Sequence, residues 1–303
     1  MTAMSDWAAP DTGVAPARPR PATVVTPATA ARAALPRPRS SLELLDAAAR
    51  LVRRRAGVVL PAVLAIVLPV QVVAVALERA TGLDDAGLAG LGLGWLSAQW
   101  LELAGALDGG QLLAALTVSA LRSLAIAVAG VVLAHVVSAH ELGGPLTAGQ
   151  ALGRGLRRLP TTVAAWAMAK TALVLGSCLV IGFPLVVAWT LFVSPVIALE
   201  GAGPWRALRR SIGLVNRRFF PCVGFVALTA LVSTVVVLAF AALPLLAGLA
   251  PALERVDWLL TALAELLATL VVVPLVGGGA AFAYLDVRVR TEGIDLQIEL
   301  ERG

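Results

Sequence analysis

Arg122, Lys170 and Glu265 each interrupt an otherwise apolar run long enough to cross a bilayer. A charge in hydrocarbon is costly unless it is paired, hydrogen-bonded or carried to an interface, so these three residues form a candidate intramembrane polar site. Their depths allow an ion pair between Lys170 and Glu265. At about 1.5 Å per helical residue, Lys170 stands about 15 Å in from Pro160, and Glu265 about 10 Å in from Trp258 on the other side. In a core of about 30 Å their backbones would then differ in height by about 5 Å. Arg122 enters from the side of Glu265 and competes for the same carboxylate. The alternative is that Arg122 snorkels to the outer face and Lys170 to the inner one.

No other residues assemble a reaction. His135 and His140 sit at the end of one apolar run, and His140-Glu141 lacks the second histidine that a zinc-binding helix needs. Two histidines so placed complete no Ser-His-Asp or Cys-His set, no glycine-rich loop ends in Lys-Ser or Lys-Thr, and no span carries paired acids. Cys178 and Cys222 fall in different runs and read as small apolar fillers, not as a disulfide or metal pair. Gly277-Gly278-Gly279, after Pro274, could unwind for a substrate, but small residues at a helix contact explain them more simply. The expectation is a non-enzymatic chain with no catalytic residue, cofactor or metal.

The elements that position these residues follow from composition. Hydrophobic residues make up 59% of the chain, charged residues 14%, and the mean hydropathy is +0.88. Soluble domains are about a quarter charged and under half apolar. The apolar residues are gathered into blocks that predict six membrane spans, over 56–77, 115–138, 161–181, 183–200, 220–248 and 257–285. Backbone groups in lipid must be satisfied within each segment, so the spans are helices, and Gly182-Phe183-Pro184 marks a tight connection between the third and fourth. The fold class is all-α, a polytopic membrane helix bundle.

Orientation follows from arginine, because basic loops are retained in the cytoplasm. Lys170 is the only lysine. Arg53, Arg54 and Arg55 precede the first span; Arg154, Arg157 and Arg158 separate the second from the third; Arg206, Arg209, Arg210, Arg217 and Arg218 separate the fourth from the fifth; Arg288 and Arg290 follow the sixth. The other side carries Arg79 and Arg255 beside acids that include Glu78, Asp84, Asp85, Asp108 and Glu254. Both termini are therefore expected in the cytoplasm, with residues 1–40 a disordered Pro/Ala/Arg-rich tail, 41–290 the membrane domain and 291–303 a C-terminal tail. The first apolar block, after Arg53-Arg54-Arg55, reads as an uncleaved anchor, not a signal peptide. Residues 87–107, glycine-rich with Trp95 and Trp100, are expected as an outer interfacial or re-entrant segment; as a seventh span they would put Arg154, Arg157 and Arg158 outside.

A short amphipathic segment ending in arginines stands before each odd-numbered span: LELLDAAARLVRRR from Leu42, QALGRGLRRL from Gln150 and WRALRRSIGLVNRR from Trp205. Two readings stand: a helix-plus-hairpin unit present three times, or the basic, amphipathic character of any cytoplasmic loop ahead of a span. Either way the segments are expected to lie on anionic headgroups, with Arg53, Arg54, Arg55, Arg157, Arg158, Arg209, Arg210, Arg217 and Arg218 as lipid contacts. A nucleic-acid partner is not expected, because no basic face with interleaved polar or aromatic residues stands on a soluble scaffold.

The stretch FVSPVIALEGAGPWRALRRSIGLVNRRFFPCVG, Phe192 to Gly224, and the ending AYLDVRVRTEGIDLQIEL from Ala283 resemble a bacterial family named for the membrane domain of glycerophosphoryl diester phosphodiesterase. The likeness covers the C-terminal third, through Glu-Gly followed by Ala-Leu-Arg-Arg-Ser and through Asp-x-Arg-x-Arg-x-Glu-Gly-x-Asp-Leu. It implies a six-span fold in a bacterial plasma membrane and no reaction, since the catalytic barrel of the phosphodiesterase is absent from this chain. Heavy use of Ala and Arg with one Lys points to a high-GC genome of actinobacterial type. Three functional classes follow: a scaffold or accessory protein acting with lipid or a protein partner, a transporter or channel with a site at Arg122, Lys170 and Glu265, and the membrane subunit of a separately encoded phosphodiesterase.

Overall fold

The computed structural model describes residues 40–82, 108–177, 182–245 and 256–292. The expected tail up to residue 39, the 87–107 segment, Cys178, the chain between the third and fourth spans up to residue 181, and the tail from residue 293 lie outside the described residues. Among the described residues the chain is all-α, with ten helices and no strand. They are α1 (Ser41–Arg54), α2 (Ala56–Thr81), α3 (Gly109–Glu141), α4 (Ala148–Leu156), α5 (Leu159–Ser177), α6 (Gly182–Thr190), α7 (Val193–Glu200), α8 (Pro204–Arg217), α9 (Phe219–Leu245) and α10 (Asp257–Glu292).

Helix starts are written in local chemistry. Ser40 with Glu43, Asp108 with Gln111 and Thr147 with Gln150 form reciprocal capping boxes that open α1, α3 and α4. Pro204 opens α8 at a position where its missing N–H is no loss. Gly82 and Gly201 close α2 and α7 in the left-handed region, with φ of 67° and 63°.

Among the described residues six stretches are long and apolar enough to cross a membrane: α2, α3, α5, α6 with α7, α9 and α10. The chain is a multi-pass membrane protein, and its described residues hold six candidate spans, the number expected. The fourth span differs from the expectation of one helix over 183–200, because it breaks between Thr190 and Val193. Pro195 explains the break: it has no N–H for the Leu191 carbonyl, and its ring displaces that carbonyl. Ser211 of α8 repairs the gap. Its hydroxyl accepts from the Phe192 N–H at 3.1 Å and donates to the Trp189 carbonyl at 2.5 Å.

Helix α3 is the hub, packing on α2, α10, α7, α4 and α5, while α10 also packs on α1 and α9. Gly277, Gly278 and Gly279 remain helical within α10 and serve close packing: a Cβ on Gly277 would lie 2.8 Å from Leu133 Cδ1, and one on Gly279 2.8 Å from Phe225 Cζ. The core gathers toward the arginine-rich end, where Leu51, Leu133, Phe192, Ile197, Leu214, Phe225 and Tyr284 are almost wholly buried. Leu231, Val235 and Leu238 form one exposed stripe on α9, a face that lipid covers in a membrane span.

Candidate functional site

Helices α2, α3 and α10 bring a charged network together inside the apolar bundle. Arg122 of α3 places Nη2 2.6 Å from Glu265 Oε2 of α10 and 3.1 Å from Glu78 Oε1 of α2. The side chain of Gln71, one α2 face with Glu78 at a spacing of two helical turns, donates from Nε2 to Glu265 Oε2 at 2.7 Å. The side chains of Glu78 and Glu265 are 13% and 16% exposed, and that of Arg122 is 27% exposed, so the pairs are largely shielded from bulk surroundings. One guanidinium serves two carboxylates, and Arg122 Nε is buried without a hydrogen-bond partner. Glu78 lies in the last turn of α2, so Arg122 both reaches toward a helix end and pairs there.

The sequence reading placed Lys170 opposite Glu265; the structure instead gives that carboxylate to Arg122 and Gln71. The cause is the order of helices. Arg122 stands on α3, which packs directly on both α2 and α10, whereas Lys170 stands on α5, whose main neighbours are α6, α8, α3 and α7. Lys170 is half-buried and has no hydrogen bond or ion pair among the described residues. His135, on α3, has a buried Nε2 without a hydrogen-bond partner among the described residues. Among the described residues no group of three or more His, Cys, Asp and Glu is placed to hold a metal ion.

The second polar centre is the arginine-rich end. Glu200, the last residue of α7, accepts from the Tyr284 hydroxyl at 2.7 Å and from Arg210 Nε at 3.1 Å, with Arg288 Nε 3.8 Å away. Tyr284 is fully buried, and Arg288 also lies 5.5 Å from its ring. This ties α7, α8 and α10 at one level. Sequence reasoning missed Glu200, Tyr284, Gln71 and Glu78 as partners. Gln71, a polar residue in the first apolar run, and the single tyrosine were the available signals.

The apolar faces of the amphipathic helices α1 and α8 pack on the protein. Leu44, Leu45, Ala48 and Leu51 of α1 are buried, as are Ala207, Leu208, Leu214 and Val215 of α8, and these side chains belong to the protein core. The polar faces look outward, together with Leu42, Leu156 and Trp205. Arg53, Arg54, Arg157, Arg158, Arg209 and Arg217 are exposed, while Arg55 and Arg218 are half-buried. Arg210, expected as a lipid contact, pairs across the helix junction with the half-buried Glu200. Trp205 and Phe220, 59% and 84% exposed, flank the arginines of α8 and suit a headgroup-level belt. No family model, curated protein or solved structure matches the chain.

Two kinds of chemistry are available in this arrangement. The Arg122 network is directly bonded and cross-links three spans. The outer arginine face offers guanidinium groups to phosphate oxygens, which they match in a bidentate geometry.

Proposed function

We propose that this chain is a non-enzymatic multi-pass protein of a bacterial plasma membrane, seated with its arginine-rich end and both termini in the cytoplasm, where it acts as a scaffold or accessory domain against anionic lipid. The observation that carries the proposal is the division of α1, α4 and α8 into inner and outer faces: most of their apolar residues pack on the bundle, and arginines face out at one end. The lipid interaction is then one of charge more than of insertion. Each arginine near an anionic surface contributes on the order of 1 kcal/mol, and the contribution falls as salt screens it. A partner protein would dock on this same face.

The direct pairing of Arg122 with Glu265 and Glu78 supports its reading as a strap between spans rather than as a transport site. The test is lipid enrichment. Extracted with its surrounding membrane into polymer discs, the protein carries a higher anionic share than the bulk membrane. Replacing Arg53, Arg54, Arg157, Arg206, Arg209 and Arg217 with Gln brings that share to the bulk value. An unchanged share in this variant would remove the electrostatic basis of the proposal.

A further inference from the structure

A cavity of about 300 Å³ opens at the arginine-rich end where α1, α9 and α10 meet. Ser40, Arg218, Asp286 and Arg290 supply its polar lining, and Leu191 and Phe225 belong to its apolar lining. The volume stands at the lower bound of small-molecule sites, and a mostly apolar wall with a few convergent polar groups is the usual character of such sites.

The charges of the described residues that line the cavity are unbalanced. Arg290 is matched by Asp286, with Nε 2.9 Å from Oδ2 and Nη2 donating to Oδ1 at 3.1 Å. Arg218 is half-buried and, among the described residues, has no side-chain hydrogen bond or ion pair. One positive charge is left over, partly withdrawn from solvent, where an unmatched cation attracts an anion more strongly than at an open surface. The N-terminus of α1 adds a favourable dipole, but Glu43 already accepts from the Ser40 N–H at 2.6 Å, so the arginines carry the site. Pro221, which also lines the cavity, is exposed on the same turn of α9 as Phe220.

We propose that this cavity binds a phosphate ester anion, with Arg218 as its principal ligand and Phe225 and Leu191 against the apolar part of the bound molecule. A phospholipid headgroup whose first methylenes lie on the apolar wall satisfies both linings. This rests on the reading that the arginine-rich end faces an anionic leaflet, and it names one discrete site within that contact.

The test is native mass spectrometry of the full chain released from discs of phosphatidylglycerol and phosphatidylcholine, with one retained lipid per chain as the readout. The wild-type chain retains phosphatidylglycerol preferentially. Arg218→Gln lowers that retention by about tenfold, the equivalent of one charge-assisted hydrogen bond. Arg218→Lys keeps part of the retention, and Arg50→Gln, at an exposed arginine already paired with Asp46, leaves it nearly unchanged. In the unsubstituted chain, a photoreactive phosphatidylglycerol headgroup labels peptides 218–225 and 283–290.

Competition by millimolar inorganic phosphate would assign the site to soluble phosphate esters, and no competition assigns it to lipid. Equal retention of the two lipids, equal effects of Arg218→Gln and Arg50→Gln, or labelling elsewhere would overturn the site. A six-arginine variant that loses bulk enrichment but still retains one phosphatidylglycerol separates the two ideas. A variant that keeps enrichment while Arg218→Gln changes nothing rejects this site alone.

Discussion

Arg122 Nη2 lies 2.6 Å from Glu265 Oε2, joining α3 to α10 inside the bundle. The same guanidinium reaches Glu78, so one cation is shared by two acids on different helices. Removing the shared member takes the cation from two carboxylates, while removing either acid takes only one carboxylate from the cation. Breaking a buried pair by deleting one partner costs about 3–5 kcal/mol.

Arg122→Met is therefore expected to destabilise the bundle more than Glu265→Gln or Glu78→Gln. Thermal or denaturant unfolding in detergent measures the order. Coupling between Arg122→Met and Glu265→Gln should be non-additive by about 1–3 kcal/mol, because the pair is in direct contact. Lys170→Met combined with Glu265→Gln should be additive. Coupling of Lys170 with Glu265 and none with Arg122 would contradict the observed network.

The three glycines of α10 are expected to differ under substitution by Ala. Gly277→Ala drives a Cβ toward Leu133 and Gly279→Ala drives one toward Phe225, each against a buried side chain. Overpacking of this kind costs about 1–3 kcal/mol. At Gly278 the nearest atom, Ala48 Cβ, is 3.6 Å away, an ordinary contact, so Gly278→Ala should be neutral or slightly stabilising. Melting temperatures of the three variants decide the matter, and equal losses at all three would argue against glycine-mediated packing.

Ser211→Ala should expose the cost of the break in the fourth span. The hydroxyl is fully buried and joins the Phe192 N–H to the Trp189 carbonyl. Its loss leaves two buried backbone groups unpaired and should destabilise by about 1–3 kcal/mol. Ser211→Thr, which keeps the hydroxyl, should lose less. Faster hydrogen exchange confined to residues around 189–192 in Ser211→Ala would locate the effect.

The spans are legible in the sequence because hydrocarbon thickness imposes a length that few soluble patterns imitate. Their ends are less so. The expected first span stops at residue 77, which leaves Glu78 outside it, whereas α2 continues to Thr81 and carries Glu78 into contact with Arg122. Asp108 and Gln111 start α3 several residues before the apolar block begins, through a capping box that hydropathy does not register. Arg122 and Glu265 are conspicuous as charges in apolar runs, but the choice between Arg122 and Lys170 as partner depends on which helices are neighbours, which depth alone does not determine. The amphipathic helices illustrate the same limit. A stripe such as Leu44, Ala48 and Leu51 has one period whether it meets lipid or protein, and here it meets protein.

The central claim is that the arginine-bearing ends of the helices share the cytoplasmic side, and a topology reporter tests it most directly. Fusions at Gly153, Arg209 and Gly303 are predicted to report the cytoplasm, and fusions at Asp84 and Glu254 the outside, as six spans with basic loops retained inside require. An external signal at Gly153 would place Arg154, Arg157 and Arg158 on the wrong side of the membrane and contradict the account.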